Sequence, residues 1–192
     1  AASIIFKPGI DWSYPYYRDG AYCLGLGMTA REQLLSFLSK ADDPNSGGRQ
    51  MPMHYGHKDL KIISQSSPTG SQFLQALGTS FAAQNDGKNS IVYVSSGEGT
   101  TSQGDFHEAL NWASNAKAPI IFHIQDNEYA ISTHKSEQSA DSVFTRAAGY
   151  KNLSRFDVDG TDFFESHLAF KQACDRARKG QGPSVVVTNV VR

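Results

Sequence analysis

Apolar and polar positions along this chain fall into two alternating regimes. Short apolar runs at 91–94, 119–124 and 184–191, together with 155–158, predict β-strands. Between them, apolar residues recur at helical spacing. Leu34, Leu35 and Leu38 mark one apolar face, and Phe73, Leu74, Leu77 and Phe81 another. Further helices are predicted over 105–117 and from Asp162, a capping residue, to about Lys179. Thr29-Ala30-Arg31-Glu32 has the form of a capping box and should start the Leu34 helix. Asp42-Asp43-Pro44-Asn45 ends that helix, and a loop then passes through Gly47-Gly48. Residues 66–68 form a turn into the Phe73 helix, 85–89 a loop, and Gly182-Pro183 the entry to the last strand. Segments 3–6 and 11–17 are short and aromatic-rich, and the polar stretch 131–142 reads as a mobile loop.

Strands alternate with helices, and the run 184–191 is apolar without period-two alternation. That is the signature of an α/β fold, a parallel sheet flanked by helices on both faces. The 192 residues suffice for a single domain of this kind, with no internal repeat. A hydrophobic fraction of 39% and a formal net charge of −1 describe a soluble globular chain with no basic footprint for nucleic acid and no membrane-length apolar run. Two distant cysteines, Cys23 and Cys174, read as reduced packing residues, which favours an intracellular compartment. No signal peptide is visible at Ala1, and both ends read as cut from a longer chain.

The chemistry concentrates at two strand ends. The first strand runs into Gly97-Glu98-Gly99 and a hydroxyl-rich helix entry, Thr100-Thr101-Ser102-Gln103-Gly104-Asp105. The next ends in Asp126-Asn127-Glu128-Tyr129. Two parallel strands thus deliver a carboxylate and an amide oxygen to one sheet edge, where open α/β sheets bind ligands. Hard oxygen donors suit magnesium, which in turn grips a diphosphate. Other motifs have plainer readings. Gly25-Leu26-Gly27-Met28-Thr29-Ala30 fits a dinucleotide fingerprint, but no good strand precedes it, and its glycines read as helix-start punctuation. His54 and His57 lack further zinc ligands nearby, so one hydrogen-bonding loop histidine is the simpler reading. His107-Glu108 reads as a solvated or subunit-contact face, and Arg176, Arg178 and Lys179 as cations at a helix carboxyl end.

These two stretches, read on through Ala130-Ile131-Ser132-Thr133, resemble the thiamin diphosphate signature of the alpha subunit of the decarboxylating component of 2-oxo acid dehydrogenase complexes. Arg49-Gln50-Met51-Pro52-Met53-His54-Tyr55-Gly56, Tyr17-Arg18-Asp19, Ser66-Ser67-Pro68 and Ser136-Glu137-Gln138 are similar to the branched-chain (2-oxoisovalerate) branch. The resemblance runs from about Pro8 to Arg192. It implies a thiamin diphosphate-binding fold and magnesium held by Glu98, Asn127 and the backbone oxygen of Tyr129. It implies diphosphate contacts from Tyr17, Arg18, Gly99 and Thr100, and aminopyrimidine contacts from Ser67 and Thr69. Ser66, Pro68, Ser71 and Gln72 match a loop that holds a monovalent cation, potassium, in branched-chain relatives. Tyr16 and Tyr17 are placed to line the substrate side. The implied reaction is oxidative decarboxylation of a 2-oxo acid, branched-chain favoured, with acyl transfer to a lipoyl acyltransferase partner. The site is shared with a beta subunit or beta half, in the cytoplasm or, for a eukaryote, the mitochondrial matrix.

The chain departs from the pattern in several places. Asp126 replaces the first asparagine of the usual pair, and Gln125 stands where the branched-chain relatives often carry an arginine facing the diphosphate. Residues 1–6 look like a strand of the family joined directly to Lys7-Pro8-Gly9, as if residues between Phe6 and Lys7 were skipped. The family's catalytic histidine would lie after Arg192. Pyruvate- or acetoin-type relatives, a non-catalytic scaffold that keeps the fold, and a nicotinamide-binding domain built on Gly25-Leu26-Gly27 are the alternatives.

Overall fold

The computed structural model describes residues 1–64 and 66–192. Five parallel strands form one sheet in the order β1 (Trp12–Tyr14), β2 (Val92–Gly97), β3 (Ile120–Asp126), β7 (Ser184–Asn189) and β6 (Ser154–Asp159). A two-stranded antiparallel hairpin, β4 (Tyr129–Ala130) with β5 (Thr133–His134), stands apart from it. The helices are α1 (Gly20–Leu26), α2 (Ala30–Phe37), α3 (Ser71–Ala83), α4 (Gly104–Ala116), two short turns α5 (Lys135–Gln138) and α6 (Val143–Arg146), and α7 (Phe163–Arg178).

Successive strand residues point to opposite faces, and both faces are buried. Val92, Val94, Ile120, Phe122, Val185 and Val187 pack on one side with Phe73 of α3 and Phe106 of α4. Tyr93, Ile121 and Val186 pack on the other with Tyr22 of α1 and Phe170 of α7. Two-sided burial is why these strands read as continuous apolar runs. All five strands run the same way, so their carboxyl ends, and the loops that leave them, share one edge.

Most expected elements form, with shifted ends. The capping box at Thr29 is complete, its hydroxyl accepting from the Glu32 N–H while Glu32 accepts from the Thr29 N–H at 2.6 Å. Asp162 caps α7 by accepting from Phe164 and Glu165. Other expectations are corrected. Residues 2–4 form a 3-10 turn rather than a strand. The apolar stripe of α2 is left open at Leu34 and, just past the helix end, at Leu38, which are 58% and 59% exposed. Gly25 lies inside α1 and Gly27 ends it with a left-handed φ of 114°, so these glycines close one helix rather than open the next. The 131–142 stretch is not a free loop: it carries β5 and α5, and Gln138 donates to the Gly99 carbonyl at 2.6 Å. Cys23 and Cys174 are free and buried. Among the described residues, no helix is long and apolar enough to cross a membrane.

Candidate functional site

Register decides what meets at the sheet edge. Gly97 of β2 pairs with Gln125 of β3, so Glu98 and Asn127 leave neighbouring strands side by side. After Gly97 the chain tightens into a 3-10 turn over Glu98–Ser102, held by the Thr101 hydroxyl donating to the Glu98 carbonyl at 2.6 Å. Glu98 is buried. Its Oε2 accepts the Asn127 N–H at 3.3 Å, and its Oε1 has no hydrogen-bond partner. Burial, with Asp126 nearby, pushes the Glu98 carboxyl up, whereas the Asn127 N–H and Arg18 pull it down. An unpartnered buried carboxylate oxygen costs roughly 1–3 kcal/mol or more, a cost that a bound cation would offset.

Asn127 accepts the Tyr129 N–H through Oδ1 at 3.1 Å, which turns the chain into the β4–β5 hairpin. Glu128 and Ile131 take left-handed φ values of 69° and 57°, the cost of folding that hairpin over the Glu98 turn. Gly99 makes the approach possible, because a Cβ there would lie 2.6 Å from the Ala130 Cβ. Between the turn and the hairpin lies a cleft of about 360 Å³, lined by Tyr16, Tyr17, Arg18, Glu98, Gly99 and Tyr129 among others. The Arg18 guanidinium lies 5.0 Å from the Tyr17 ring centroid and donates to the Tyr17 hydroxyl at 2.7 Å, placing a positive charge at the cleft.

A second cavity of about 410 Å³ adjoins the first through Tyr16, Tyr17, Thr69 and Thr100. Ser67 and Thr69 line it, as do His54 and Ser96. Ser66, Pro68, Ser71 and Gln72 also come together at the entry to α3. Ser71 bonds the Ser66 hydroxyl at 2.7 Å and the Pro68 carbonyl at 2.8 Å. Gln72 accepts from Gly70 and donates to the Ser95 carbonyl.

The departures have local explanations. Asp126 is buried, and its Oδ2 meets Lys135 Nζ at 3.2 Å, so the extra charge is compensated. Gln125 turns away from the cleft: its amide donates to Asp19 Oδ1 at 2.6 Å, and its Oε1 faces the Tyr16 hydroxyl at 3.4 Å. Asp19 is buried, and burial pushes its carboxyl up to about 6 against the pull of Ser95, Gln125 and Tyr93. His54 and His57 do not converge on a metal, since His54 bonds Ser67 and His57 faces Glu32 at 3.6 Å. Among the described residues no three His, Cys, Asp or Glu side chains form a metal cluster. A magnesium site built from one carboxylate, one amide and a backbone carbonyl, completed by phosphate oxygens, does not require one. Asp19, Lys135 and Ser96 border this region without a signal in the sequence: the partners of Asp19 lie 74 to 106 residues away, Lys135 reaches Asp126 only through the fold of the hairpin, and Ser96 has no partner.

A family model described as "Dehydrogenase E1 component" matches residues 2–192. The chain is 43% identical over 180 residues to the 2-oxoisovalerate dehydrogenase subunit alpha of Bacillus subtilis, covering 93% of this chain and 54% of that one. It is 36% identical over 182 residues to the pyruvate dehydrogenase E1 component subunit alpha of Staphylococcus aureus, covering 95% of this chain and 46% of that one. The chain thus spans about half the length of the curated relatives it matches. Among solved structures, a transketolase from Campylobacter jejuni aligns with a TM-score of 0.73 at 18% identity, over 97% of this chain and 31% of that one. At this identity the likeness shows the fold alone.

Proposed function

Because the chain belongs to the dehydrogenase E1 component family, we propose that it is the cofactor-anchoring part of the alpha subunit of a 2-oxo acid dehydrogenase, using thiamin diphosphate and magnesium. The observation that carries this reading is the buried Glu98 Oε1, left without a partner beside Asn127 at the cleft that Arg18 enters. Glu98, Asn127 and the Tyr129 carbonyl would hold the metal. Arg18, Tyr17 and the Gly99 and Thr100 backbone would receive the diphosphate, with Ser67 and Thr69 on the aminopyrimidine side. When bound, thiamin diphosphate supplies the electron sink that decarboxylation of a 2-oxo acid needs. The chain's own contribution is orientation and charge. Arg18 offsets the phosphate charge, and the β4–β5 hairpin closes over the metal turn. Tyr16 and Tyr17, which border both cavities, would face the substrate.

The remaining assignments belong to the same reading. A beta subunit or beta half completes the site, a histidine beyond Arg192 serves catalysis, and the acyl product passes to a lipoyl acyltransferase. A branched-chain 2-oxo acid is favoured by the aromatic lining and by the 2-oxoisovalerate relative. One methylene is worth only about 1–3 kcal/mol of discrimination, so a substrate panel on the reconstituted enzyme decides between this acid and pyruvate. Ser71 bonds both Ser66 and Pro68, and Gln72 bonds Gly70 and Ser95, which supports an ordered helix entry. A potassium role there is tested by comparing melting in potassium and sodium salts.

The principal test is calorimetry on the full-length protein. Asn127→Ala should abolish magnesium-dependent thiamin diphosphate binding while the circular dichroism spectrum is unchanged. Glu98→Gln should do the same and leave the cofactor-free protein at least as stable, because it removes a buried charge whose Oε1 has no partner. Unchanged affinity in both variants would refute the ligand assignment.

A further inference from the structure

We infer that His54 is a positioning residue that fixes Ser67 as a hydrogen-bond acceptor toward the ring amino group of the bound cofactor. The inference rests on the cofactor reading above and concerns the second cavity.

His54 is buried, 8% exposed, on the loop after α2. Its Nδ1 faces the Pro52 carbonyl at 3.4 Å, and its Nε2 lies 2.8 Å from the Ser67 hydroxyl. A carbonyl only accepts, so the ring proton belongs on Nδ1. Nε2 is then a bare lone pair, and the Ser67 hydroxyl must spend its single proton on it. What Ser67 turns toward the cavity is therefore lone pairs. It can accept from an N–H group and cannot donate to a carbonyl.

Ser67 has no other partner among the described hydrogen bonds, and it lines the 410 Å³ cavity together with His54. The same cavity contains a second unfilled polar group, the Ser96 hydroxyl, which is buried and unpartnered. A cavity walled by Met51, Met53, Tyr16 and Tyr17, with one fixed acceptor and one free hydroxyl, suits a flat heteroaromatic ring bearing an amino substituent. Without His54, the Ser67 hydroxyl rotates freely and serves a donor or an acceptor alike. His54 would then set the sign of one hydrogen bond through Ser67.

The test compares three probes by calorimetry on the full-length protein with magnesium: thiamin diphosphate, oxythiamin diphosphate, whose ring carries an oxo group in place of the amino group, and inorganic pyrophosphate. Wild type should prefer the amino over the oxo cofactor by about tenfold or more. His54→Phe should collapse that ratio toward unity while pyrophosphate affinity stays within about twofold. Ser67→Ala should collapse it equally, and the double variant should be no worse than either single one. His54→Gln, whose side-chain oxygen can accept from Ser67, should restore most of the preference. A general loosening of the loop would weaken both cofactors together and leave their ratio intact. Retention of the wild-type ratio in His54→Phe, or absence of any preference in wild type, overturns the inference alone. Failure of the wild-type protein to bind thiamin diphosphate at all overturns the cofactor reading and this inference with it.

Discussion

At the residue scale, the unusual groups are the buried ionisable ones. His123 lies on β3 beneath the site, with Nδ1 2.7 Å from the Tyr93 hydroxyl and Nε2 2.9 Å from the Thr188 hydroxyl. Burial lowers it to about 3 from an ordinary 6.5, so it is neutral in the folded protein. A group that binds its proton less readily folded than unfolded contributes stability in full above the unfolded value, and this is lost as pH falls toward the folded one. Between pH 7 and pH 5 the loss from His123 is about 2 kcal/mol. Asp19, raised to about 6 from 3.8, works the other way and returns about 1 kcal/mol over the same interval. Replacing His123 by Gln should therefore remove the His123 loss and reverse the response, so that stability rises on going from pH 7 to pH 5 where wild type loses it. Urea denaturation at the two pH values checks this, and parallel curves for both proteins would count against it. Neither group had a sequence signal. His123 sits in an apolar run that says strand, and nothing local says that its two nitrogens find hydroxyls 30 and 65 residues away.

At the element scale, the β4–β5 hairpin and the Glu98 turn form one unit. Gly99→Ala would set a Cβ 2.6 Å from the Ala130 Cβ. The expected cost is about 1–3 kcal/mol, with weakened magnesium-dependent binding, because the hairpin must lift off the turn that carries Glu98. Adding Ala130→Gly removes the contact atom and should recover part of both, so a double-mutant cycle with a clearly favourable coupling is the expected readout. Independent effects of the two substitutions would mean that the hairpin does not rest on Gly99. The helices show what periodicity can and cannot say. The spacing of Leu34, Leu35 and Leu38 gave the helix but not its facing, because a stripe shows that one side is apolar and not what covers it. The capping box at Thr29 was legible because both partners lie within one turn.

At the scale of the whole molecule, the ends of the fold are tied by a part-buried ion pair. Arg178 at the end of α7 meets Asp11, just before β1, through two hydrogen bonds at 2.6 and 3.0 Å across 167 residues. Asp11 also accepts the Ile91 N–H at the start of β2. Arg178→Met should cost about 3–5 kcal/mol by stranding a buried carboxylate. Chemical denaturation measures it, and a change below 1 kcal/mol would show that Asp11 reaches water instead. The basic run containing Arg178 was readable as a structural feature at a helix end, but its partner was not. The sequence by itself determined the alternation of helices and strands, the two strand ends that carry oxygen-bearing side chains, and the family. These depend on periods of two and 3.6 residues and on motifs short enough to be read locally. Only the tertiary structure decided which strands are neighbours, and hence that Glu98 and Asn127 meet, that Gln125 turns to Asp19, that Lys135 offsets Asp126, and that His54 reaches Ser67. Each of those contacts is set by strand register or loop docking, which packing fixes and no local pattern encodes.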